Sequence, residues 1–298
     1  MKKMLFIMNP CAGMKKANRH FLRIVEIFNR GGYQVTTYIT EKQGDATKIA
    51  QELAGSVDVI VCCGGDGTFN ETLSGIMAAG TNTPLGYIPA GSTNDFASSL
   101  QLPTGILQAA KNIVEGKSVQ YDVGLFNDRY FSYVASFGAF TRASYATSQN
   151  IKNALGHTAY LLSGISELSQ IHKIHARLEI DGEVVEDEFL FGAVCNSTSV
   201  AGVLTLDRSV VDLQDGKFEV LLVRSPKNIK EINDCLKAIQ NKTYDCAMLT
   251  FRSAADIKVQ LDESVNWTID GEFQKGMSEI QFQNCHLALS LLTREETK

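Results

Sequence analysis

Over the first 120 residues, short apolar runs alternate with stretches whose apolar positions recur every three or four residues. Lys3–Met8 is an apolar run, and Phe21, Ile24, Val25 and Phe28 follow at helical spacing, stopping before Gly31-Gly32. Tyr33–Ile39 alternates as a strand does. Ala46–Leu53 places Ile49, Ala50 and Leu53 on one helical face, and Val57–Cys63 reads as a buried strand. Phe69–Ala79, Leu85–Ile88 and Thr104–Glu115 continue the series as helix, strand and helix. Near-continuous apolar strands separated by helices predict a parallel sheet covered on both faces, that is, an α/β, doubly wound N-terminal domain.

The texture changes near Ser118. Val119–Leu125, Tyr130–Phe137, Ala176–Ile180, Val184–Val194, Lys217–Val223, Leu249–Ala254, Asp256–Leu261, Trp267–Ile269, Ser278–Phe282 and Ala288–Leu292 all read as strands. Turn dipeptides separate many of them: Asn127-Asp128, Asp181-Gly182, Asp215-Gly216 and Asp270-Gly271. Helical spacing returns only over Leu155–Ile171 and Ile229–Gln240. These features predict a C-terminal β-sandwich domain with helical insertions. The expected domains are 1–120 and 121–282, with about 283–298 packing back on the first. Neither a repeat nor a low-complexity linker separates them.

Composition changes this picture little. The chain of 298 residues is 44% hydrophobic and 20% charged, ordinary for a globular protein. A formal net charge of −5 argues against a broad basic surface for nucleic acid, leaving room for a local patch such as Lys15, Lys16 and Arg19. No stretch is long and apolar enough to span a membrane, and MKKMLFIMNP is too short in its apolar part for a signal peptide. The cysteines, 7 in number, are scattered and never spaced C-x-x-C. That excludes a disulfide framework or zinc site and predicts a reducing, cytoplasmic compartment. The histidines His20, His157, His172, His175 and His286 form no ligand pattern.

Three glycine-bearing loops stand at expected strand ends: MNPCAGMKK, CGGDGTFNE and IPAGSTNDFA. In open parallel sheets, ligands bind beyond the carboxyl ends of strands. Glycines let backbone approach a ligand and take positive φ, and exposed N–H groups at a following helix N-terminus bind phosphate oxygens. A carboxylate in such a cradle repels phosphate unless a cation intervenes, so Asp66 is expected to address Mg²⁺. Thr68 suits an N-cap or a phosphate contact. The plainer reading of GGDGT is a capped turn with Asp66 as a local acceptor. Neither G-x-x-x-x-G-K-[ST] nor a G-x-G-x-x-G opening the first helix occurs, which excludes a P-loop enzyme and argues against a dinucleotide fold.

NPCAG at 9–13, GGDGTFNE at 64–71, PAGSTNDFA at 89–97 and DGE at 270–272 resemble, in this order, the diacylglycerol kinase catalytic-domain family, and within it the soluble bacterial lipid kinases. GGDGT alone is shared with NAD kinases and phosphofructokinase-like proteins, whereas the element with NDFA is more specific. Ala12 stands where many relatives carry serine, and PAGSTND stands where GTxND is commoner.

The resemblance implies an ATP-binding first domain, a lipid-binding sandwich and an active site in the cleft between them. ATP contacts map to Asn9, Pro10, Cys11, Ala12 and Gly13, to Thr40, to Gly65, Asp66, Gly67, Thr68, Phe69, Asn70 and Glu71, and to Thr93. Asp95 and Asp122 join Asp66 in a carboxylate network around Mg²⁺–ATP. Glu272 is the implied general base toward a lipid hydroxyl, with Asp66 its rival because some eukaryotic relatives place the base there. A structural Mg²⁺ is implied at Asp212, Asp215 and the carbonyl of Lys217, where the residues by themselves read as an Asp-Gly turn. Thr40 by itself reads as a strand-end cap, Asp122 as a solvated strand end, and Asp-Gly-Glu as a hairpin.

Leu161, Ile165, Leu168 and His172 read as core packing, with a lipid-facing wall as the alternative. The activity implied is ATP- and Mg²⁺-dependent phosphorylation of a lipid alcohol, diacylglycerol first and phosphatidylglycerol next, at a transiently visited membrane surface. A homodimer is compatible with this. An NAD kinase and a non-catalytic nucleotide- or lipid-binding protein are the rivals.

Overall fold

Strand β1 (Lys2–Met8) is buried from Met4 onward, as a strand flanked on both sides and covered on both faces must be. In the computed structural model, which describes residues 1–138, 173–200, 204–262 and 264–294, β1 pairs in parallel with β2 (Tyr33–Ile39) and with β3 (Val59–Gly64). β3 pairs in parallel with β4 (Leu85–Pro89), and β4 with the end of the last strand, β17 (Glu279–Thr293), at Leu85 and Leu291. Helices α1 (Phe21–Arg30), α2 (Asp45–Leu53), α3 (Asp66–Ala78), α4 (Asp95–Ser99) and α5 (Ile106–Glu115) fill the connections. The core joins Phe6 to Phe28 edge-to-face at 5.6 Å. Such a pair contributes about 0.5–1.5 kcal/mol beyond the area it buries.

The chain divides into two compact units, one of Met1–Val123, Arg129–Ser132 and Cys285–Lys298, the other of Gly124–Asp128 and Tyr133–Asn284. β5 (Lys117–Phe126) and β17 each run from one unit into the other, and β6 (Arg129–Phe131) belongs to the first.

The second unit is built around β9 (Glu183–Cys195). Its first half pairs with β8 (Ile174–Ile180), which leads to β14 (Asp256–Leu261) and the start of β17. Its second half lies between β7 (Val134–Gly138) and β12 (Phe218–Arg224), which lead to β15 (Trp267–Ile269) and β16 (Glu272–Gln274) on one side and β13 (Leu249–Ala254) on the other. One long strand thus joins the two groups of strands in this unit. Trp267 is fully buried against Phe126 and Phe137, at 5.2 and 4.8 Å. Two short strands, β10 (Ser199–Val200) and β11 (Leu204–Thr205), pair with each other. Helix α6 (Ile229–Gln240) is capped by Asn228, whose Oδ1 accepts the Glu231 N–H at 3.0 Å.

Three boundaries differ from expectation. The helix expected from Phe69 begins at Asp66. The strand expected over 130–137 is two, because the Tyr133 and Val134 N–H groups both go to Asp270 Oδ1 at 3.0 Å. The last two expected strands are one continuous β17, kinked where Leu287 takes φ 51°. The helix expected over 155–171, with Leu161, Ile165, Leu168 and His172, lies outside the described residues, as do the side chains of Lys15 and Lys16. Among the described residues no helix is long and apolar enough to cross a membrane.

Candidate functional site

The loops after β1, β3 and β4 pack on one another so closely that glycine is required at the contacts. A Cβ on Gly13 would stand 1.9 Å from the Ala90 carbonyl oxygen, and one on Gly91 would stand 2.5 Å from Gly65 Cα. Of the glycines in these loops only Gly13 has positive φ, at 50°. Loop-to-loop contact, more than left-handed backbone, therefore accounts for glycine at 65 and 91. Gly91→Ala is expected to lower stability by about 1–3 kcal/mol, because the obstacle is backbone and cannot swing away. Urea denaturation measures it.

Asp66 occupies the first turn of α3 and is 8% exposed. Its Oδ1 accepts the Phe96 N–H and its Oδ2 the Thr93 hydroxyl, both at 3.3 Å. The carboxylate thus links the second loop to the third and sits at the positive end of a helix dipole. Thr93 is exposed, and Asp95 is half-buried in the first turn of α4. Asn94 takes left-handed backbone, with φ 51°, and clamps Gly91: its Oδ1 accepts the Gly91 N–H at 2.8 Å and its amide donates to the Gly91 carbonyl at 3.2 Å. Sequence reasoning passed over Asn94, although asparagine before a helix-opening aspartate is a usable signal for a left-handed residue.

In the first loop, the Asn9 side-chain amide donates to Thr68 Oγ1 at 3.0 Å, and its Oδ1 accepts the Cys11 N–H at 3.0 Å. The Pro10 carbonyl accepts from Asn18, and Ala12 opens a short 3₁₀ stretch to His20. Thr40 is buried, its N–H on the Met8 carbonyl at 3.0 Å. Gly67 lies within the first turn of α3. The Phe69 ring is buried 4.5 Å from that of Phe96, and its N–H donates to the Gly65 carbonyl, so Phe69 is scaffold. Asn70 donates to the Tyr130 carbonyl at 3.2 Å, and Glu71 Oε1 accepts the Gly44 N–H at 2.9 Å. Hydrogen bonds therefore join Asn9 to Thr68 and Asp66 to Thr93.

Asp122 is buried on β5. Its Oδ1 accepts the Leu287 N–H at 2.7 Å and lies 3.0 Å from His286 Nδ1, which holds the kink of β17. Glu272 belongs to the second unit, where it is half-buried on β16 opposite Ile269. Asp270 and Gly271, with φ 48° and 77°, form the tight turn between β15 and β16. Asp270 is itself buried, and through its bonds to Tyr133 and Val134 it fixes the hairpin that carries Glu272.

The Asp212–Lys217 turn precedes β12. Asp212 Oδ1 accepts the Gln214 N–H at 3.0 Å, Asp215 Oδ1 accepts the Lys217 N–H at 2.9 Å, and the Lys217 carbonyl accepts from Asn284 at 3.2 Å. Glu219 follows on the strand. Burial, then the nearby charges of Asp215 and Asp212, push its carboxyl up to about 8. Among the described residues no group of three His, Cys, Asp or Glu side chains is placed to hold a metal by itself.

The diacylglycerol kinase catalytic domain model matches residues 3–126, and the model described as YegS C-terminal NAD kinase beta sandwich-like domain matches residues 134–292. The chain is 31% identical to a diacylglycerol kinase of Bacillus subtilis (strain 168), covering 99% of this chain and 98% of that protein. It is 31% identical to a diacylglycerol kinase of Staphylococcus carnosus (strain TM300), covering 100% and 97%. A solved structure from Bacillus anthracis str. Sterne superposes with TM-score 0.82 at 27% identity, covering 99% of this chain and 96% of that one. The first unit carries the glycine-loop aspartate and the second the Asp-Gly-Glu hairpin, in a sequence related over its whole length to these proteins: the chain belongs to the diacylglycerol kinase family, a family of lipid kinases.

Proposed function

We propose that this protein is an ATP- and Mg²⁺-dependent kinase that transfers the γ-phosphoryl group to a lipid hydroxyl, with diacylglycerol the leading acceptor and phosphatidic acid the product. The observation that carries this reading is the full-length relatedness to proteins named diacylglycerol kinase. The three interlocked loops and the buried Asp66 at the start of α3 support it, since N–H groups of a helix N-terminus and one hard oxygen donor suit a phosphate with its cation.

In this reading Asn9–Gly13, Thr40, Gly65–Glu71 and Thr93 form the ATP cradle, with Phe69, Asn70 and Glu71 holding its shape. When bound with ATP, the divalent ion neutralises charge on the phosphate oxygens. Asp66, with Asp95 and Asp122, orients that assembly. Glu272 takes the proton of the lipid hydroxyl as its oxygen bonds to the γ-phosphorus and the bond to ADP breaks. The lipid is met transiently at a membrane surface from the cytoplasm, and nucleic acid is no partner for a chain of net charge −5.

The test is incubation of the full chain with MgCl₂, labelled ATP and vesicles containing diacylglycerol or phosphatidylglycerol, with NAD as a separate acceptor. Labelled phosphatidic acid is expected. Label on NAD alone would make the protein an NAD kinase, label on phosphatidylglycerol alone would change the acceptor, and label on none would leave a non-catalytic binding protein.

The Asp212–Asp215 turn is proposed to hold a structural Mg²⁺ with the Lys217 carbonyl. Oxygen donors on a tight turn fit a hard cation. Asp215→Ala is expected to lower the melting temperature measured in Mg²⁺ and to remove its dependence on Mg²⁺, because a ligand that binds only the folded state stabilises it.

A further inference from the structure

Two donors reach the Asp66 carboxylate from the third loop, the Thr93 hydroxyl and the Phe96 N–H. Asn94 lies between them in the chain, with φ 51° and ψ 54°. This left-handed turn lets positions on either side of Asn94 face one carboxylate. It is unfavourable for residues that carry a Cβ, and least so for asparagine and aspartate. The side chain locks the turn. Its Oδ1 accepts the Gly91 N–H at 2.8 Å and the hydroxyl of buried Tyr87 on β4 at 3.3 Å, and its amide donates to the Gly91 carbonyl at 3.2 Å. Both ends of the amide are therefore used on Gly91, whose backbone packs against that of Gly65, the residue before Asp66. The Asn94 carbonyl accepts the Ser98 N–H at 2.9 Å, which ties the turn to α4.

We propose that Asn94 is a positioning residue that sets the direction of the Asp66 carboxylate, and through it the affinity for Mg²⁺–ATP. Its backbone aims Thr93 and Phe96 at the carboxylate, and its side chain holds Gly91 against Gly65. This rests on the reading of Asp66 as the carboxylate that addresses the divalent ion. Few residues combine the two tasks. Glycine tolerates the backbone and has no amide. Aspartate tolerates the backbone, lacks an N–H for the Gly91 carbonyl and adds a negative charge next to Asp95. Alanine does neither. A group that orients a metal-addressing side chain changes affinity about 10–100-fold when removed.

The experiment measures Mg²⁺–ATP binding by calorimetry on the full-length protein as wild type, Asn94→Gly, Asn94→Ala and Asp66→Asn, and on each Asn94 variant combined with Asp66→Asn. Asn94→Ala is expected to bind about 10–100-fold more weakly than wild type. Asn94→Gly is expected to fall between the two, because it keeps the backbone and loses the clamp. In the Asp66→Asn background neither change at Asn94 is expected to weaken binding further, since the carboxylate it directs is gone. A residue that only shaped the loop would weaken binding equally in both backgrounds, and that result overturns the proposal. Wild-type affinity in both Asn94 variants, while Asp66→Asn binds weakly, also overturns it and leaves the reading of Asp66 standing. Where Asn94→Ala folds poorly, Asn94→Gly decides by itself, and wild-type affinity in that variant overturns the proposal. If Asp66→Asn binds as wild type does, the reading of Asp66 falls and the role of Asn94 with it.

Discussion

Asp66→Asn is expected to abolish phosphoryl transfer while leaving the fold intact. The substitution is isosteric, and asparagine Oδ1 can keep the Phe96 N–H. Its amide can donate to the Thr93 hydroxyl in place of the bond that Asp66 Oδ2 accepts, so what it forfeits is the negative charge in the first turn of α3. A charge at a helix N-terminus contributes about 0.3–1 kcal/mol, so the melting temperature should move by only a few degrees. Activity has no such cushion, because a neutral amide cannot offset the positive charge of Mg²⁺ beside the nucleotide. The measurements are turnover of diacylglycerol and calorimetric nucleotide binding in MgCl₂, and productive Mg²⁺–ATP binding should weaken together with transfer. A variant that retains most of its turnover would remove Asp66 from the mechanism and leave it the tie between two loops.

Glu272→Gln should fail differently. A general base contributes about 10²–10⁴-fold in rate, and because the transition state of phosphoryl transfer is loose, the loss is expected toward the lower end. Glutamine keeps the shape and cannot take the proton. The proposed ATP loops belong to the first unit and Glu272 to the second, so nucleotide affinity should be unchanged while transfer to lipid falls. Stability should largely hold, because Asp270 fixes the hairpin through Tyr133 and Val134. Wild-type turnover in Glu272→Gln would put the base elsewhere, with Asp66 the next candidate.

Much of the fold is legible along the chain because burial on both faces leaves a direct mark. The strands of the parallel sheet read as continuous apolar runs, and Tyr33–Ile39, Leu249–Ala254 and Asp256–Leu261 occur at the residues where alternation and flanking turn residues place them. Helix α6 is equally plain, its periodicity opened by an asparagine cap. The glycine loops announce themselves by composition. What their glycines do there does not, since a close approach between Gly65 and Gly91 brings together positions far apart in sequence.

The sequence by itself determined the α/β-then-β order of the chain, the strand faces, the loops that stand at strand ends and the family they resemble. These are local properties, set by side-chain periodicity and by the few residues that tolerate tight turns. Only the tertiary structure decided that β9 pairs with β8 along its first half and with β7 and β12 along its second, that β17 runs unbroken through a kink held by Asp122, and that Asp270 anchors the hairpin of Glu272. Each of these is a hydrogen bond or a charge interaction whose partner lies outside the local turn or strand that carries it. A buried polar group must find such a partner wherever the fold supplies one, and no local pattern encodes where that is.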